Sequence, residues 1–322
     1  MPVYIIISII IVAIILFLIS ILIANKIVSN KVYGRRGDAS ISIKYPLPSD
    51  FQNLDIKKDY FLNNRKARIS VYQYQKKNTT PVAVVLLSHG IGGGHFYLLP
   101  LINYLCQRDL LIVAFDHYAC GTSEGKKLES MSQGAIDVKF AVKYIEEKFP
   151  NLPFYVLGHS WGGFTASQAL RYSTKIEKCV NIAGLDSEAA MTSPLSRMFV
   201  KIAGLLMYGK YGLYSTYGIF KKTHAEVLYI QGKQDLVVNP KQTGYKYQKR
   251  FKNRHNINVV MLNNKGHAPM VEYNSQLRQN NVMKQFGMLG GVLVPLEVYV
   301  DFSKNNIPDM EVYKMIGDFL LN

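Results

Sequence analysis

The sequence predicts an α/β protein. Its core is a mostly parallel β-sheet with helices on both faces, carrying a helical cap and preceded by one membrane-spanning helix. Three observations lead there. Short runs of aliphatic and β-branched residues without polar alternation, such as 82–88 (VAVVLLS) and 110–115 (LLIVAF), read as strands buried on both faces. Stretches with apolar residues at helical spacing lie between them, and strands alternating with helices imply parallel crossovers. Residues 3–24 contain no charged side chain at all.

As a helix, 3–24 is about 33 Å long, enough to cross the hydrocarbon core of a bilayer. A cleaved signal peptide would need a basic leading region, a shorter apolar run and a small-residue cleavage site; the sequence offers none of these, so a permanent anchor is expected. Lys26, Lys31, Arg35 and Arg36 follow the run and no charged side chain precedes it, which by the positive-inside rule places the remainder of the chain in the cytoplasm. Residues 25–54 read as a juxtamembrane linker, with Gly34, Gly37, Pro46 and Pro48 as breakers. The folded domain is expected over 55–322.

Within that domain 55–74 reads as a hairpin, followed by the strand at 82–88, a helix from about 95 to 107, and the strand at 110–115. Ser132 is a candidate cap for a helix whose apolar face is Ala135, Val138, Val142, Ile145 and Phe149. Further buried strands are expected at 154–157, 179–183, 227–231 and 258–262, and a closing helix at 309–321. Two stretches exceed a normal crossover: 186–222, rich in Met and Tyr, which reads as a cap, and 275–308, with an apolar, Gly-rich piece at 286–294.

The chemistry centres on Gly158-His159-Ser160-Trp161-Gly162. The G-x-S-x-G pattern between a strand and a small-residue helix calls for a turn so tight that the serine adopts a strained backbone, with its hydroxyl clear of the sheet. A serine hydroxyl is a weak nucleophile near neutrality and needs a base, which itself needs an orienting acid. Asp235 follows the next-to-last buried strand and His267 the last, so all three side chains gather at one edge of the sheet. Asp186, after the preceding strand, is the rival acid. His89 and His159 read as packing or supporting groups, and His117 and His224 have no evident catalytic partner. The glycines at 92–94 lack both G-x-G-x-x-G and a phosphate-loop lysine, and no His, Cys and carboxylate set has metal spacing. No cofactor is expected.

HGIGGG (89–94), DHYACGTSEG (116–125), GHSWGG (158–163), GKQDLVVNP (232–240) and KGH (265–267), in that order, resemble the α/β-hydrolase superfamily, in the branch of monoacylglycerol lipase-like and serine aminopeptidase-like proteins. The resemblance spans about 55–270 and implies Ser160 as nucleophile, His267 as general base and Asp235 as the acid that orients it. It also implies an oxyanion hole from the backbone N–H groups of Trp161 and Ile91, with Gly92 as the alternative second donor. The usual D-x-R-G-x-G-x-S turn is altered, with Tyr118 in place of Arg and Cys120 before Gly121. The implied activity is hydrolysis of a carboxylic ester, with lipid-like esters favoured; acyltransferase, thioesterase, peptidase and a purely binding role are the alternatives.

Composition narrows the partners. The 322 residues carry Lys+Arg 38 against Asp+Glu 22, a net charge of +16 that suits an anionic lipid surface. Nucleic acid is not expected, because the basic residues are scattered, apart from a run at 249–254, and no nucleic-acid motif accompanies them. Three cysteines, Cys106, Cys120 and Cys179, make no disulfide framework.

Overall fold

The computed structural model describes residues 2–34, 36, 46–92, 94–272, 274–275 and 307–322. Helix α1 runs over Val3–Tyr33, well past residue 24 and into the stretch read as linker. Asn25, Lys26, Ser29 and Asn30 are compatible with a helix, and no breaker intervenes until Gly34, whose N–H donates to the Asn30 carbonyl at 2.9 Å. The apolar part, Val3–Asn30, is long enough to cross a membrane.

Strands β1 (Leu54–Leu62), β2 (Arg68–Lys76), β3 (Ala83–Ser88), β4 (Leu110–Phe115), β5 (Phe154–His159), β6 (Ile176–Ile182), β7 (Glu226–Gly232) and β8 (Ile257–Leu262) form one eight-stranded sheet. Its order is β1-β2-β4-β3-β5-β6-β7-β8. The β1–β2 and β2–β4 pairings are antiparallel and every other is parallel. Every residue of β3, β4 and β5 is buried, which explains their unbroken apolar sequences. Alternate residues feed two cores. Val85 and Leu87 face α2 (Leu99–Cys106) and the closing helix α8 (Met310–Leu321), while Val84 and Leu86 face α3 (Ser132–Lys148) and α4 (Trp161–Ala169).

Two helix starts differ from the sequence reading. Ser132 is not the cap of α3 but its first residue; Ser130 Oγ accepts the Ser132 N–H at 3.0 Å. The stretch at 95–98 is a short 3₁₀ turn rather than α-helix, because Pro100 sits in the first turn of α2 and fixes its start. Between β6 and β7 lie α5 (Arg197–Tyr208) and α6 (Thr216–Phe220), joined by a 3₁₀ segment at Gly209–Leu213; helix α7 (Gly244–Phe251) precedes β8. The excursion at 275–308, including 286–294, lies almost wholly outside the described residues.

Candidate active site

Ser160 stands between β5 and α4 at φ +58°, ψ −120°, a conformation that costs about 1–3 kcal/mol and persists only where the surroundings impose it. The surroundings are close-packed backbone. A Cβ on Gly158 would lie 2.0 Å from the Gly162 carbonyl oxygen, and one on Gly162 would lie 2.0 Å from the Ser88 oxygen. The glycines are therefore required by the approach of β3 and β5 to the start of α4. The Ser160 N–H donates to Ile182 O at 2.8 Å, tying the turn to the end of β6.

The structure brings Ser160, His267 and Asp235 together from the loops after β5, β8 and β7. Ser160 Oγ lies 2.8 Å from His267 Nε2, and His267 Nδ1 lies 3.1 Å from Asp235 Oδ2. A carboxylate only accepts, so Nδ1 carries the proton, and the neutral ring's Nε2 accepts from the serine hydroxyl. Asp235 is held by other donors as well: Oδ1 accepts the N–H of Val237 at 2.8 Å and of Val238 at 2.9 Å, and Oδ2 accepts from Gln231 Nε2 at 3.2 Å. Burial by itself raises this carboxyl, but the facing His267 ring and the two backbone N–H groups outweigh it and hold Asp235 below its ordinary value. The rival acid is committed elsewhere. Asp186 accepts from Tyr247 at 2.9 Å, the Tyr217 N–H at 2.8 Å and Lys246 Nζ at 3.1 Å, bridging the base of the cap region to α7.

The loop after β3 lies against the serine: a Cβ on Gly90 would sit 3.2 Å from Ser160 Cβ. The Gly90 N–H is already taken by Tyr97 Oη at 2.6 Å, so the next amide along is that of Ile91. Trp161 opens α4, and its amide has no carbonyl one turn earlier in the helix to bond.

Residues 79–216 match the family described as serine aminopeptidase, S33. Human monoglyceride lipase is 32% identical over 134 residues, which cover 40% of this chain and 43% of that protein. The monoacylglycerol lipase of Mycolicibacterium smegmatis is 35% identical over 101 residues, 29% of this chain and 34% of that protein. Proline iminopeptidase of Saccharolobus solfataricus is 28% identical over 123 residues, 37% of this chain and 38% of that protein. The matches therefore span less than half the length of these relatives. An esterase structure from Pyrococcus furiosus superposes with a TM-score of 0.57 at 18% identity, over 78% of this chain and 98% of that one, a likeness of fold. The chain has the α/β-hydrolase fold, and its central segment is similar to the monoacylglycerol lipase-like branch.

Some residues bonded around Ser160 and His267 escape the sequence reading. Tyr97 Oη, which accepts the Gly90 N–H, also lies 3.1 Å from His159 Nδ1, and His159 Nε2 lies 2.9 Å from the His267 carbonyl. The carbonyl can only accept, so Nε2 donates, Nδ1 accepts, and the tyrosine hydroxyl is the donor between them. Burial, then the neighbouring His267 ring, lowers His159 to about 3, which keeps it neutral and this direction of bonding fixed. One hydrogen-bonded path thus joins the loops of Gly90, Ser160 and His267. The Tyr97 position carries no motif signal; its distance from His159 in the sequence hides the pairing.

His117 stacks on Trp161, with centroids 4.2 Å apart, and its Nε2 lies 2.8 Å from Ser88 Oγ, so it is buried scaffolding. His224 is exposed, away from this cluster. At the altered turn, Tyr118 sits under the Arg65 guanidinium at 4.9 Å, and Arg36 donates to the carbonyls of Gly121 at 2.9 Å and Ser123 at 3.2 Å. Two arginines from distant segments therefore serve the turn whose own arginine is replaced. Among the described residues no group of His, Cys, Asp and Glu is arranged to hold a metal ion.

Proposed function

We propose that this chain is a membrane-anchored serine hydrolase that cleaves carboxylic esters, with lipid-like acyl esters such as a monoacylglycerol or lysophospholipid as substrates. The observation that carries the reading is the hydrogen-bonded line Ser160–His267–Asp235 at the C-terminal edge of the sheet. Ser160 Oγ attacks the ester carbonyl carbon while its proton passes to His267 Nε2. The N–H groups of Ile91 and Trp161 receive the developing oxyanion. Collapse expels the alcohol, which takes the proton from Nε2 and leaves an acyl-serine. Water then attacks the acyl carbon, gives a proton to His267, and the acid departs with Ser160 restored. Asp235 stays ionised throughout and holds the ring's tautomer.

The lipid preference draws support from the names of the monoglyceride lipase relatives and from the apolar helix Val3–Asn30, which would hold the site at a bilayer surface where amphiphiles concentrate. The flanking basic residues support a cytoplasmic catalytic domain. The similarity to proline iminopeptidase favours amide cleavage as a second reading. Fluorophosphonate labelling of the full-length chain tests the nucleophile, and parallel turnover of a monoacylglycerol and a prolyl amide separates the two readings. Labelling that persists in Ser160→Ala would refute the mechanism; prolyl amide turnover exceeding that of the ester would replace the lipase reading.

A further inference from the structure

The loop that carries Ile91 has few side chains to hold it. From Gly90 to Gly94 the sequence offers four glycines and Ile91, which is 46% exposed. The backbone direction that an oxyanion donor needs is therefore imposed from outside this stretch. Both polar groups of Gly90 are anchored. Its N–H donates to Tyr97 Oη at 2.6 Å, and its carbonyl lies 2.6 Å from His89 Nδ1. His89 Nε2 accepts the His117 N–H at 3.1 Å, so in the neutral ring Nδ1 carries the proton and donates to the Gly90 carbonyl. The Gly90–Ile91 peptide is trans and planar, so the Ile91 N–H points away from that anchored carbonyl. Fixing Gly90 on both sides thus fixes the direction of the Ile91 amide.

The two anchors differ in reach. His89 bonds the residue next to it, whereas Tyr97 bridges separate loops. The Tyr97 hydroxyl donates to His159 Nδ1 at 3.1 Å, and His159 Nε2 donates to the His267 carbonyl at 2.9 Å. The Tyr97 and His159 rings meet edge to face with centroids 5.8 Å apart. One phenolic oxygen therefore accepts from the oxyanion loop and donates towards the base loop. Between the two, a Cβ on Gly90 would stand 3.2 Å from Ser160 Cβ, so a small shift of this loop is felt at the nucleophile.

We propose that Tyr97 is a positioning residue for the Ser160 site, its hydroxyl holding the Ile91 amide and the His267 loop in one geometry around the nucleophile. This rests on the hydrolase reading above. Tyr97 acts through the Gly90 amide and the His159 ring, and takes no proton from the substrate or from Ser160. Removing its oxygen leaves a donor and an acceptor beside the site without their partner, and both loops lose a common reference point.

The test uses the full-length chain in detergent micelles, turnover of p-nitrophenyl octanoate, and binding of octylboronic acid, whose tetrahedral adduct on Ser160 Oγ places an oxygen where the oxyanion forms. Tyr97→Phe deletes one oxygen and keeps the ring. It is expected to lower kcat about 30-fold with KM nearly unchanged, and to weaken octylboronic acid about 10-fold. His159→Gln keeps a donor for the His267 carbonyl and leaves the Gly90 N–H bonded to Tyr97. Its expected loss is smaller, about 5-fold in kcat. Wild-type kcat and boronate affinity in Tyr97→Phe overturn the proposal, as does a lowered melting temperature with both unchanged. A larger loss in His159→Gln than in Tyr97→Phe also overturns it, because the oxyanion loop would then not depend on the hydroxyl. Should Tyr97→Phe fail to fold, His159→Gln decides, and wild-type kcat in that variant rejects the bridge. Ser160-dependent fluorophosphonate labelling of the wild type keeps the hydrolase reading intact in each of these cases; absence of that labelling overturns both.

Discussion

Ser160, His267 and Asp235 act as one unit if the proposed chemistry holds, so single removals should cost nearly as much as removing all three. Ser160→Ala and His267→Ala are expected to lower kcat by about 10⁴ or more. Asp235→Asn should cost somewhat less, through the wrong imidazole tautomer. Asp186→Asn, whose partners are Tyr247, Tyr217 and Lys246, is expected to affect stability more than kcat. Steady-state kinetics on purified variants decide this, and an Asp186→Asn loss larger than that of Asp235→Asn would move the acid. The loop after β3 permits a finer separation. Only the amide of Ile91 is invoked, so Ile91→Val should be mild, whereas Ile91→Pro deletes the donor and should lower kcat about 10²–10³-fold. Equal effects from the two substitutions would assign Ile91 to packing. Gly162→Ala belongs to a different category: its methyl would stand 2.0 Å from the Ser88 carbonyl, so the expected outcome is loss of folded, probe-reactive protein.

At the scale of elements, the strands were legible because two-sided burial leaves a simple imprint. The run at 110–115 coincides with β4 as Leu110–Phe115, and the elbow strand and closing helix lie where their apolar runs place them. What local sequence hides is contact over distance. Nothing around Tyr97 points to His159, and nothing in the mixed polar stretch after residue 24 shows that α1 continues to Tyr33, which packs in one apolar cluster with Trp161. The buried histidines next to these elements give a further expectation. In the unfolded chain His89, His117 and His159 titrate near 6.5. Burial, chiefly, lowers His89 to about 4, His159 to about 3 and His117 well below its ordinary value in the folded chain. Below about pH 6.5 the unfolded state therefore binds more protons, and stability falls with pH by up to about 1.4 kcal/mol per pH unit for each ring. Asp137 acts in the opposite sense. Burial raises it from 3.8 to about 6, so it favours the folded state as pH drops through that interval. Glu188, also raised by burial, acts in the same sense as Asp137, so three rings stand against two carboxyls and give net acid lability. Denaturant midpoints measured from pH 8 to pH 4.5 should decline below about 6.5, and a flat profile down to pH 5 would contradict the burial of these rings as neutral groups.

For the whole molecule, the membrane reading and the substrate reading are linked, but they fail separately. Protease treatment of sealed vesicles reports orientation: a cytoplasmic domain is expected to be protected when only the extracytoplasmic face is exposed, and the Asn78-Thr79-Thr80 sequon is then silent. Digestion from the outer face would reverse the orientation and leave the catalytic reading untouched. The substrate depends on what the cap region offers. Leu195, Met198, Leu205 and Leu206 are exposed on or beside α5, the helix that runs alongside α1, and Met-rich apolar surface adapts to chains of varied length. The +16 charge should draw a cytoplasmic domain towards an anionic leaflet, at about 1 kcal/mol for each basic residue near the surface. Each methylene buried in an acyl site contributes about 0.8 kcal/mol, so kcat/KM should climb steeply with acyl length until the site is filled. Measured over C2 to C16 esters in liposomes, the profile is expected to peak well beyond C4 and to rise further with anionic lipid at low salt. A peak at C2–C4 that is indifferent to liposomes and to salt would leave a small-ester hydrolase whose apolar cap surface serves only to pack against α1 and the bilayer.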